Sequence, residues 1–373
     1  MKKKTAALLL ALIMALGLFL SGCGGRAAQG ESEAGSGSPE AESGGVFAGG
    51  SGTEDDPYVI ATAADLNAVR SNLAACYRLD ADIDLSGVEW TPVGVFHGAD
   101  DGVPVEADAF TGIFDGGSHT ISNLTVGQPE DSAVGLFGCV RGAHIYNLTV
   151  DTVTVDGRSM AGAVAGYAYN SRLTAVSLTG SNFITGHNGA GESAEKIGGM
   201  VGGAKNSLID SCAARANIVL PDFAGEAGIL CGGLEVTSVI NGYATGTLTA
   251  GNECCGLGAV SGSGLGSEEF TNCTAENVRI TVGDNVSLLG GLTGYAGGYE
   301  DESESLNVTA ISRCVANNVE IVTSEGAEAV GAIIGGSFRS GEEQAETVFT
   351  IADCTASVTI NGGEAALSGE SAE

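Results

Sequence analysis

Basic residues are scarce: 15 Lys and Arg stand against 46 Asp and Glu in 373 residues, a formal net charge of −31. A surface that acidic repels nucleic acid and polyuronates alike and lacks the Arg and Lys needed to hold an acidic polymer. Aromatic residues make up 5% of the chain, too few to fill the blades of a propeller. Helical periodicity is nearly absent from the body of the sequence. No H-E-x-x-H, G-x-S-x-G elbow or phosphate loop occurs, and no C-x-x-C or paired Cys/His spacing points to zinc. Four histidines are present. His119 lies in FDGGSHTISNL, His144 precedes a strand pattern, and His97 and His187 complete the set, with His187 in the loop-like GHNGAG. No constellation of base, nucleophile and orienting group emerges, so the chain is expected not to be an enzyme and no catalytic residue is assigned. The alternative is an extracellular polysaccharide lyase or hydrolase.

What the chain has in abundance is glycine, 60 residues of it, arranged with a period. Residues 135–150, GLFGCVRGAHIYNLTV, return in altered form down to about residue 362. Each unit opens on a glycine-flanked apolar patch: GLFG at Gly135, AVAG at Ala163, GMVG at Gly199, GAVSG at Gly258, GLTG at Gly291 and GAIIGG at Gly331. A short segment follows with two buried types three residues apart: Ile145 with Leu148, Leu173 with Val176, Ile209 with Cys212, Ile240 with Tyr243, Phe270 with Cys273, Ile311 with Cys314 and Ile351 with Cys354. An alternating run closes it, clearest in NVRITV and NVEIVT. Spacings of 28, 36, 31, 30, 41 and 40 residues between the second buried positions belong to a solenoid or propeller. Three short strands with glycine near each corner predict a parallel β-helix, where extra residues leave as corner loops without disturbing register.

In chain order, residues 1–22 read as a lipoprotein signal peptide. Lys2, Lys3 and Lys4 precede an apolar run, short for a bilayer, that ends Leu20-Ser21-Gly22-Cys23. That ending resembles the bacterial lipobox, which makes Cys23 the lipidation site and places the protein on the outer face of the cytoplasmic membrane. With Lys2, Lys3 and Lys4 removed, 12 basic groups face 46 acidic ones, a formal charge of −34. Residues 23–48, rich in Gly, Ser, Ala and Glu, read as a flexible tether spanning about 30 Å. Residues 49–130 form the N-terminal cap and first coils, 131–362 the repeats and 363–373 a tail. Thr62 followed by Asp65 predicts a capping box and a short helix over the open edge of the first coil. In YRLDADIDL, Asp80, Asp82 and Asp84 take the solvent side of an alternating strand.

The series GTEDDPYVIATAADLNAV, YRLDADIDLSGVEWTPVG, FTGIFDGGSHTISNLTV and GLFG resembles bacterial surface proteins carrying GLUG repeats, over residues 49–362. The match is close at Gly135-Leu136-Phe137-Gly138 and degenerate at Gly233-Leu234-Glu235-Val236. The resemblance implies an all-β fold, a right-handed parallel β-helix solenoid with a short N-terminal capping helix, on an exported protein. It implies little about a ligand.

The cysteines at the repeat position (Cys212, Cys273, Cys314 and Cys354) would share an interior column with Tyr243 as buried thiols, since in-register side chains run parallel and hold Cβ atoms apart. The sequons Asn147-Leu148-Thr149 and Asn272-Cys273-Thr274 read as polar strand and turn residues. The function expected is binding, adhesion or scaffolding at the cell surface, with an extracellular protein or glycan as partner, the membrane reached only through lipid on Cys23, and no nucleic acid. The candidate partner face is a flank of corner-loop carboxylates: Glu268 and Glu269, then Glu300, Asp301, Glu302 and Glu304, then Glu342, Glu343 and Glu346. No cofactor or metal site is assigned. Calcium is the ion such loops would suit outside the cell, although no D-x-D-x-D-G loop fixes its oxygens.

Overall fold

Each repeat becomes one coil of three faces. In the first complete coil the chain runs through Ser132–Val134, then Phe137–Arg141, then His144–Asp151 and Thr154–Gly157. The next coil repeats this as Ser159–Ala161, Ala165–Tyr169 and Arg172–Thr179, each strand paired in parallel with its predecessor. We call these the short face, the glycine face and the long face. Among the described residues the short and glycine faces are seven-stranded and the long face, continued through the cap, is a 21-stranded sheet. The computed structural model describes residues 47–98, 103–266, 268–298, 308–339 and 348–369. They belong to one unit, Gly44–Glu373. The fold is the right-handed parallel β-helix expected, with the handedness that strand twist imposes on parallel crossovers.

Stacking in register accounts for the core. Ile145, Leu173, Ile209, Val239, Phe270, Ile311 and Ile351 form one column along the long face. Neighbours stand about 4.8 Å apart, so each side chain packs on the same position of the coils above and below. The column beside it holds Cys212, Gly242, Cys273 and Cys314, each one residue before a paired position. This corrects the repeat alignment at one coil. Ala213 pairs with Tyr243 and Ile209 with Val239, so the interior positions there are Val239 and Gly242, not Ile240 and Tyr243. Leu230 and Cys273 leave no room for a ring: even a Cβ on Gly242 would stand 3.1 Å from Leu230 Cδ2 and 3.4 Å from Cys273 Sγ. Tyr243 faces outward instead, and its hydroxyl donates to Glu276 Oε2 at 2.8 Å.

Cysteine suits this column for a second reason. The residue before each one is in the left-handed region: Ser211 (φ 56°), Asn272 (φ 55°), Arg313 (φ 53°) and Asp353 (φ 54°). The sharp corner turns the preceding carbonyl toward the thiol. Cys212, Cys273, Cys314 and Cys354 each donate to the carbonyl two residues back, at 3.3–3.6 Å. A small apolar side chain that also satisfies a buried acceptor fits where serine would be more polar than needed. The nine described cysteines are all free thiols, and burial pushes the Cys212 thiol up to about 12. Asn147 and Asn241 occupy the same left-handed corner in other coils, which asparagine tolerates better than most residues.

The cap forms as the sequence predicts, but shorter. Thr62 Oγ1 accepts from Asp65 N and Asp65 Oδ2 accepts from Thr62 N, opening a helix of only six residues, Ala63–Ala68, continued by a 3₁₀ turn, Val69–Ser71. Leu66 and Val69 join the interior of the first coils, where the scarce aromatic residues gather: Tyr58 against Tyr77, Tyr77 against Phe110, and Phe110 against Phe137. Asp82 and Asp84 bind neighbouring turns, Asp82 accepting from Thr120 N and Asp84 from Asn123 Nδ2. At the other end, residues 363–369 lie against the last coil: Gly363–Glu364 pairs antiparallel with Thr355–Ile360 and Ser368 bridges Ile334.

Candidate functional site

Cys23, the expected lipidation residue, and the loop carboxylates Glu300, Asp301, Glu302, Glu304, Glu342, Glu343 and Glu346 lie outside the described residues. The remaining two members of that flank separate. Glu269 is exposed, whereas Glu268 is buried, 2% accessible. Glu268 therefore does not belong to a solvated acidic flank. It occupies the long-face corner position held by Ser171, Ser207 and Thr237 in earlier coils, inside the stack. His187, the loop histidine, pairs through Nε2 with Asp156 Oδ1 of the preceding coil at 3.1 Å.

A different site emerges outside the glycine face. The middle residue of each short-face strand is left-handed, among them Met160 (φ 51°), Lys196 (φ 57°), Glu226 (φ 50°), Gly256 (φ 68°) and Leu288 (φ 60°). Holding a side chain there costs about 1–2 kcal/mol per residue, and here the neighbouring coils hold it in series. The glycine face beneath carries the column Tyr167, Gly203, Gly233, Ser263, Tyr295. Two successive glycines open a trough between the tyrosines, and Lys196 and Glu226 fold into it. A Cβ on Gly203 would stand 3.3 Å from Lys196 Cδ, and one on Gly233 only 2.7 Å from Glu226 Oε2 and 2.9 Å from Lys196 Cγ.

Glu226 is the hub. Its Oε1 accepts from Ser263 Oγ at 3.1 Å and from Tyr295 OH at 2.8 Å, and its Oε2 lies 3.7 Å from Lys196 Nζ. Tyr295 reaches Glu226 by lying across Gly256, where a Cβ would meet its Cε1 at 2.6 Å. Burial, reinforced by the Glu226 charge, pushes the Tyr295 hydroxyl well up, so it stays a donor. Beside this cluster Lys205 pairs with Glu235. The space left between Tyr167, Lys196, Glu226, Glu235 and Ser263 is about 10 Å³, room for a single water. Ser263 is fully buried, so no substrate reaches it. Partly exposed here are the Lys196 side chain, by about a third, and the paired Lys205 and Glu235 side chains, by 23% and 24%.

One signal for this site was available. The chain has five lysines, at positions 2, 3, 4, 196 and 205. Of the two in the described residues, Lys196 lines the trough and Lys205 pairs with Glu235, which also lines it.

No family model matches the chain. It is 35% identical over 176 residues to halomucin of Haloquadratum walsbyi, which covers 45% of this chain and 2% of that protein. It is 34% identical over 136 residues to a protein of Evansella cellulosilytica described as a candidate Gly-rich membrane protein, covering 33% of this chain and 15% of that one. The chain thus matches only a small part of each relative's length. Among solved structures it is similar to a crystal structure of a candidate immunoglobulin A1 protease from Bacteroides ovatus, with a TM-score of 0.51, 20% identity, and coverage of 88% of this chain and 86% of that one. This finding corrects the expectation of a non-enzyme: a protein sharing the fold over most of its length carries an enzyme's description, so missing motifs do not decide the matter. A likeness at that identity shows the fold alone.

Proposed function

We propose that the chain is the β-helical, GLUG-type part of a secreted or cell-surface protein and that it holds an extracellular protein or glycan at the Lys196–Lys205 trough. One observation carries this reading: on a chain of net charge −31, Lys196 lies along a stripe of bare backbone at Gly203 and Gly233, with Lys205 paired to Glu235 beside it. The long Lys196–Glu226 contact leaves an ammonium that an incoming anion competes for. The surrounding negative charge repels a polyanion, so the group recognised is a single carboxylate or sulfate on an otherwise neutral partner. The likeness to halomucin and to a candidate membrane protein supports a place outside the cytoplasm.

The test uses the Cys23→Ala form on an array of extracellular glycans and proteins, with cleavage of each partner read alongside binding. Lys196→Ala with Lys205→Ala should weaken the strongest hit about tenfold, the order expected from losing one charge-assisted hydrogen bond. Unchanged affinity in the double variant would sink the assignment of the trough.

We infer also that lipid on Cys23 tethers the chain, on the strength of the Leu20-Ser21-Gly22-Cys23 sequence. Cys23→Ala should abolish incorporation of radiolabelled fatty acid and move the protein from membranes to the soluble fraction. Equal labelling of variant and parent removes this inference.

A further inference from the structure

Serine and threonine build a ladder at the corner between the glycine and long faces. Ser171 Oγ accepts from Ala143 N, Ser207 Oγ from Ser171 N, and Thr237 Oγ1 from Ser207 N, at 3.0–3.2 Å. Each neutral hydroxyl satisfies the amide of the coil before it. In the next coil the position falls to Glu268, and in the one after to Thr309. The longer side chain reaches differently: Oε1 accepts from Val236 N at 3.0 Å, an amide shared with Leu265 O at 2.9 Å, and Oε2 accepts from Thr309 Oγ1 at 2.9 Å. It passes close over Gly264 and Gly266, where a Cβ would stand 3.4 Å from its oxygens. One carboxyl group thus ties three successive coils.

We propose that Glu268 is a proton-operated latch on these coils, closed when the carboxyl group is protonated and loosened when it ionises. The acid form keeps both contacts, accepting from Val236 and donating to Thr309 Oγ1, and places no charge in the corner. The carboxylate keeps them only by holding an unpaired charge away from water. No described cation faces it. From the glycine face comes Glu235, a like charge whose own partner is Lys205. On its own strand Glu269 turns to Thr271, and the following coil offers only the Thr309 hydroxyl. Burial accordingly pushes the Glu268 carboxyl up to about 7.

The direction of the pH dependence follows. A carboxyl group raised in the fold contributes stability that is fully present below its ordinary range, near 4.5, and is lost as pH rises through about 7. Acidification toward 5 therefore tightens these coils, and mild alkalinity loosens them.

Hydrogen exchange, corrected for intrinsic rates, reads the latch at the Val236 amide, shared between Glu268 Oε1 and Leu265 O, and at the Ala310 amide, which donates to Glu268 O at 2.9 Å. In the parent the opening constant should rise roughly tenfold or more between pH 5 and pH 8. Glu268→Gln, which keeps the size and offers both an acceptor and a donor, should flatten that rise, and Glu269→Gln should leave it as in the parent. Parallel profiles for parent and Glu268→Gln would overturn the proposal. Should that variant fail to fold, a carboxyl-carbon NMR titration of Glu268 in the parent decides: a midpoint near neutrality supports the latch, and one in the ordinary carboxylate range refutes it.

Discussion

Gly258→Ala should unfold the middle of the stack, at a cost of about 3 kcal/mol or more. Gly258 ends the short-face strand Cys255–Gly258, and the chain then turns directly into the glycine face. A Cβ there would stand 2.4 Å from Ser261 O, 2.7 Å from Thr293 Cα and 2.8 Å from Gly294 N. All three are backbone atoms. Ser261 and Thr293 are themselves paired in register with the coils on either side, so none can move without breaking a ladder. The same approach recurs at Gly198, Gly228, Gly290 and Gly331, each facing the carbonyl three residues on at 1.8–2.3 Å. Gly142→Ala is the comparison. Gly142 has φ 63° but open space around its Cα, so an added methyl meets only the left-handed penalty of about 1–2 kcal/mol. Urea unfolding and limited proteolysis of both variants separate the two causes. If Gly258→Ala loses no more stability than Gly142→Ala, the close approach is not what reserves this position for glycine.

Those glycines are also why the architecture was legible. A turn that excludes Cβ must write Gly at a fixed place in every coil, and the β-branched columns between them write the strands. Three features were not legible, each for a physical reason. At the interior pair Val239 and Gly242 the sequence favours the bulkier Ile240 and Tyr243, and only the neighbouring Leu230 and Cys273 show there is no room for a ring. Glu268 sits beside Glu269 in an acidic stretch that by sequence suits a solvated loop. Its equivalence with Ser171, Ser207 and Thr237 exists only once the coils are stacked. The trough depends on a left-handed column whose members include Met160, Lys196, Glu226, Gly256 and Leu288. They share a backbone conformation and no chemistry, so no sequence pattern marks them. The lysine scarcity that does mark the site is a property of the whole chain rather than of any repeat.

Phe270→Ala should cost about 3–5 kcal/mol and should do so locally. Phe270 is fully buried in the column between Val239 and Ile311. The other largest buried rings, Tyr77, Phe110, Phe114 and Phe137, lie in the first coils, so nothing of like size is at hand to refill the space. Collapse is also blocked, because Val239 and Ile311 are fixed in strands paired on both sides. The vacated volume therefore persists as a cavity. In a solenoid, stability is approximately a sum of coil terms and nearest-neighbour interfaces, so weakening one interface divides the array instead of lowering every part equally. Ile351→Ala, one position of the same column but half-buried at the last coil, should cost clearly less. Hydrogen exchange through urea unfolding should show the strands from Glu269–Thr271 onward opening before those near Phe137–Arg141. Uniform loss of protection along the whole chain, or a cost equal to that of Ile351→Ala, would mean that the coils unfold as one cooperative unit and that Phe270 is not a seam in the stack.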